Sequence, residues 1–73
     1  MDGDVTFEID EKWGTVVAIF GKREIAGICE EDDGEWSVTW GSGGNNMRRF
    51  PSRQAAEQFV EDNAGDIDDG VWV

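Results

Sequence analysis

Val5, Phe7 and Ile9 alternate with Thr6, Glu8 and Asp10. That period of two marks a half-buried strand, because successive strand side chains point to opposite faces. Glu11-Lys12 supplies a turn. From Trp13 to Phe20 both alternating sets are largely apolar, the pattern of a strand covered on both faces. Gly21-Lys22 then reads as a two-residue hairpin turn. Arg23 to Glu30 is the third strand, whose small residues Ala26 and Gly27 mark a bulge or the close approach of another element. Asp32-Asp33-Gly34 suits a type I′ hairpin turn. In the fourth strand, Trp36, Val38 and Trp40 share one face, and Ser37 and Thr39 the other.

The Gly-rich loop Gly41 to Asn46 leads to a short fifth strand, Met47 to Phe50, which Pro51 ends. Ser52 is an N-cap for a helix over Arg53 to Asn63, with Ala56, Phe59 and Val60 as its apolar stripe and Gly65 at the C′ position. The last stretch, Asp66 to Val73, reads as an acidic turn followed by Val71-Trp72-Val73, its tryptophan packed on the sheet or completing an edge. The expected architecture is α+β: an antiparallel meander sheet of four to five strands, with one helix from the C-terminal half packed on one face. The segment Gly34-Glu35-Trp36-Ser37-Val38, followed by Phe50-Pro51-Ser52 and a helix bearing Ala55-Ala56, is similar in outline to small strand-then-helix domains. That resemblance implies the architecture and no activity.

At 73 residues the chain has room for a single domain, 1–73, and domains of this size bury only about 60% of their unfolded surface. One cysteine and no histidine rule out an internal disulfide and a Cys/His zinc set. The core therefore rests on packing by four tryptophans and four phenylalanines, with association of copies as the other remedy for small size. The acidic start, Met1-Asp2-Gly3-Asp4, is unlike a signal peptide. The longest apolar run, Val16 to Phe20, falls far short of the ~20 residues of a membrane helix. A cytoplasmic protein with no membrane association is the expectation.

Charge changes the picture most. The formal net charge is -11, from 17 acids and 6 bases. Met1 to Glu35 sums to -8, Trp36 to Ala56 holds no acid and sums to +3, and Glu57 to Val73 sums to -6. Such a chain is repelled by nucleic acid and anionic membrane and attracted to basic surfaces. Two readings of the acidic blocks compete. In one, the acidity only solvates a halophile-adapted or viral domain. In the other it mimics nucleic-acid phosphates: Glu8 and Asp10 lie ~6.5–7 Å apart on one strand face, and Glu57 and Glu61 are neighbours on the helix.

Arg48, Arg49 and Arg53, with Trp36 and Trp40, form a candidate basic and aromatic edge. Such an edge is able to bind single-stranded nucleic acid by stacking and phosphate contact. The competing reading is internal, with the arginines stacked on rings or paired with acids.

No catalytic, cofactor or metal site emerges. Asp66-Ile67-Asp68-Asp69-Gly70 lacks the spacing of a calcium loop. The Gly41 to Asn46 loop lacks the Lys-Ser/Thr of a phosphate loop. Cys29, beside Glu30 and Glu31, has none of the positive surroundings a nucleophilic thiolate needs, and is expected as a packed core thiol. The sequence points to a non-enzymatic interaction module, specifically an acidic inhibitor or adaptor that docks on a basic protein surface.

Overall fold

The computed structural model describes residues 5–73, and the acidic segment 1–4 lies outside them. Strands β1 (Val5–Asp10), β2 (Thr15–Phe20), β3 (Arg23–Glu30), β4 (Trp36–Trp40) and β5 (Asn46–Phe50) form one antiparallel sheet in the order β1-β2-β3-β4-β5. Helices α1 (Arg53–Asp62) and α2 (Ala64–Asp68) follow. The architecture is the α+β meander that the alternation predicts. It forms because each short hairpin pairs sequence neighbours, leaving one apolar sheet face for the helices to cover.

The buried face carries Val16 and Ala18 of β2, Ala26 and Ile28 of β3, and Val38 and Trp40 of β4. The register stacks Val16 against Ile28 and Val38, and Ala18 against Ala26 and Trp40. Ala56 and Val60 of α1 and Ala64 and Ile67 of α2 complete the core. The Ser52 hydroxyl accepts from the Ala55 N–H at 3.1 Å and starts α1. An aromatic chain then crosses the sheet's end. Phe50 meets Phe59, Phe59 meets Trp40, and Trp40 stacks on Trp72 with ring centroids 5.6 Å apart. The Trp40 indole N–H donates to the Val71 carbonyl at 2.8 Å, tying the last residues to the sheet.

Several local expectations need correction. The second strand begins at Thr15, not Trp13, which is 71% exposed in the turn. The Asp10 carbonyl accepts from the Trp13 and Gly14 N–H groups, and the Asp10 carboxylate from the Lys12 N–H, so four residues are spent turning. Gly14 supplies the positive φ that closes the turn. The β3–β4 turn is not type I′, which would require positive φ at Asp33 as well as Gly34. Only Gly34 has it, and the Glu31–Glu35 backbone pair closes a three-residue loop.

The second strand is covered on one face only, because Val17 and Ile19 are half-buried on the side away from the helices. Gly65 does not cap α1. Asn63 ends that helix and Gly65 falls within α2, since Ala64 and Ile67 offer another apolar side to bury. The expected acidic turn therefore begins as a helix. Cys29 is exposed rather than packed in the core. It pairs with Ser37 across the sheet, in the alternate set to the buried Ile28.

Among the described residues, β3 holds the one register shift. Ala18 pairs with Ala26 and Ile19 with Glu24, so Ile25 is the extra residue of a bulge. A bulge inverts the alternation beyond it. Ile25 and Ala26 are consequently both buried. Arg23 comes round to the helix side, where it pairs with Asp68, and Glu24 is sent to the opposite face.

Candidate functional site

The face that the helices leave open is built from the alternate positions of all five strands. One cross-strand row runs Glu8, Val17, Gly27, Thr39, Met47 through successive register pairs. At ~4.8 Å between strands it spans roughly 19 Å. Beside its middle is a depression of about 270 Å³ that runs along β3 from Glu24 to Gly27 and along Thr39 to Gly41, with Val17 on one side and Gly44 on the other. A second depression of about 210 Å³ lies between Glu8, Asp10, Val17, Ile19 and Glu24. The two share Val17 and Glu24 and so form one trough, with the Val17 and Ile19 side chains in its middle and carboxylates at its β1 end.

Glu8 and Asp10 thus stand on the open face, as the alternation predicts, although one Asp10 oxygen accepts the Lys12 N–H at 3.1 Å. Glu57 and Glu61 do not join them. They belong to α1, which packs on the other side of the sheet. Each is two residues from Phe59, hence about 200° round the helix. Phe59 faces Phe50 and Trp40, so these two acids lie on the far flank. Glu57 is also engaged by Arg53, with Nε to Oε2 at 2.7 Å. A flat partner surface cannot touch both acidic pairs.

The basic and aromatic residues do not form one edge. Arg48 lies on the helix side of β5 and Arg49 on the open side, because they are adjacent strand residues. The Arg48 guanidinium sits over the Phe59 and Trp72 rings and donates to the Val73 carbonyl at 2.7 Å. Arg49 donates to both Asp33 oxygens and meets Glu35 at 3.3 Å. Trp40 is 2% exposed, so its ring has no free face for a base, and Trp36 is half-buried against the core. Each arginine has an internal partner. Among the described residues, only four carboxylates (Asp33, Glu35, Glu57 and Asp68) join an ion pair.

Two features of the trough escape a reading by period. Glu24 shares sequence phase with Ala26 and Ile28, which predicts the buried side, and only the bulge turns it outward. The depression is visible in sequence only as the small residue Gly27 inside a strand. Asp66 begins α2 and Asp68 is turned to Arg23, so the C-terminal carboxylates do not converge on one point. No helix among the described residues is long and apolar enough to cross a membrane.

The arrangement defines a small α+β domain with one sheet face packed and the other open, acid-rimmed and grooved. Comparison with protein-family models, with curated proteins and with solved structures finds no match.

Proposed function

We propose that this protein is a non-enzymatic interaction module of the cytoplasm that docks its acidic surface on a basic protein, acting as an inhibitor or adaptor in place of nucleic acid. The observation that carries the reading is the imbalance of partners. The arginines are turned to internal rings, carbonyls and carboxylates, while among the described residues most of the acids join no ion pair and are exposed. The outward field is therefore negative, which favours encounter with basic surfaces and disfavours nucleic acid and anionic membrane.

The test is fluorescence anisotropy with a fluorescein-labelled hexa-arginine peptide at about 150 mM NaCl, where charges beyond ~8 Å are screened. Binding should weaken steeply as salt rises and fall at least tenfold when Glu8, Asp10, Glu57 and Glu61 are all exchanged for amides. Unchanged binding by that variant would sink the proposal. Circular dichroism from low to multimolar NaCl separates the competing account: a fold that forms only at multimolar salt would make the acidity a solvation device.

A further inference from the structure

We infer that the working surface is the open-face trough centred on Gly27, and that its occupant is a lysine- or arginine-bearing segment of a partner protein; this rests on the docking function proposed above. The strand-interior glycine is the first observation. Glycine in a strand weakens it and commonly marks a place where another backbone or a ligand comes close. Nothing among the described residues requires it. The backbone of Gly27 is not in the left-handed region, and a Cβ there would meet Thr39 Oγ1 at 3.6 Å and Thr15 Cγ2 at 3.9 Å, both ordinary contacts. Alanine would fit and would stiffen β3. The side chain is missing on the open face, where Gly27 is part of the lining of the depression.

The second observation is what surrounds that glycine. Val17 and Ile19 are half-buried with no element of the described residues over them, Thr39 is half-buried beside Gly44 of the β4–β5 loop, and Met47 is 48% exposed at the β5 end of the row. At the other end stand Glu8, Asp10 and Glu24, none in an ion pair among the described residues. The Val17 and Ile19 side chains beside three carboxylates suit a long basic side chain, whose methylene stem lies on those two residues while its charged head reaches the acids. A second copy of this chain, at net charge -11, would bring like charge to the same place, and a nucleic-acid strand would do the same. Charge complementarity selects the basic protein segment.

The experiment combines amide chemical-shift mapping with two variants, using hexa-arginine as the probe at about 150 mM NaCl. Shifts should concentrate on Val17, Gly27 and Thr39. Gly27→Ala should raise the Tm by roughly 3–6 °C, as relief of a glycine in a strand predicts. Gly27→Val, which fills the depression, should weaken binding at least tenfold without loss of fold. Shifts centred on the Glu57 and Glu61 flank, or wild-type affinity in a folded Gly27→Val protein, would overturn this placement while leaving the docking function standing. Self-association or binding of a single-stranded oligonucleotide through the same residues would overturn the choice of occupant. Failure of the native protein to bind hexa-arginine at all would overturn both.

Discussion

Trp40→Phe tests how the last residues are held. Trp40 is 2% exposed, stacks on Trp72, meets Phe59 at 5.5 Å and donates its indole N–H to the Val71 carbonyl at 2.8 Å. Phenylalanine keeps an aromatic ring in the core but removes the donor. The lost hydrogen bond is worth about 1 kcal/mol, because the half-exposed Val71 segment lets water reach the freed carbonyl. The smaller ring gives up apolar burial on the order of 40 Å², about another 1 kcal/mol. A loss of ~2 kcal/mol is a large share of the roughly 4–11 kcal/mol available to a domain of this size.

Urea denaturation followed by far-UV circular dichroism is the assay. With a slope of roughly 1 kcal/mol/M, the midpoint should fall by about 2 M. The tie also predicts coupling. Trp72→Ala should cost about 1 kcal/mol in the native background and distinctly less in Trp40→Phe, where the segment is already loosened. A midpoint shift below about 0.5 M, or two substitutions that simply add, would refute the claim that Trp40 anchors Val71 and Trp72.

Three other outcomes follow from the same geometry. Ser52→Ala removes the acceptor for the Ala55 N–H and should destabilise the domain by about 1 kcal/mol in the same urea assay. Arg49→Ala should change stability by less than about 1 kcal/mol, since Arg49, Asp33 and Glu35 are all substantially exposed. Thermal melts of that variant against Arg48→Ala, which also loses its contacts with the Phe59 and Trp72 rings, should find the Arg48 variant the weaker. Cys29 should react with a thiol-specific chromogenic disulfide in the folded protein without denaturant, because it lies exposed on the open face; reaction only after unfolding would contradict its placement.

What the sequence determined by itself is whatever depends on near neighbours. Period-two alternation, short turns with glycine, and a serine before an apolar stripe are local constraints, so β1, β4 and the start of α1 were legible residue by residue, and β3 in its bounds. The position of Glu8 and Asp10 on a common face followed from the same alternation. Tertiary structure decided what alternation cannot carry. Small residues at Ala26 and Gly27 left a bulge and a close approach equally open, and only the packing of Ile25 and Ala26 into one core fixes the bulge at Ile25, where it inverts the phase of β3. Through that shift Arg23 finds Asp68, 45 residues away in sequence, and Glu24 joins Glu8 and Asp10 on the trough rim. The side of the sheet that α1 covers was equally beyond local pattern, because both faces of β2 are apolar enough to be buried. That choice places Glu57 and Glu61 away from Glu8 and Asp10, internalises Trp40, and leaves Cys29 exposed. Local chemistry wrote the strands, and long-range packing decided which of their faces meets a partner.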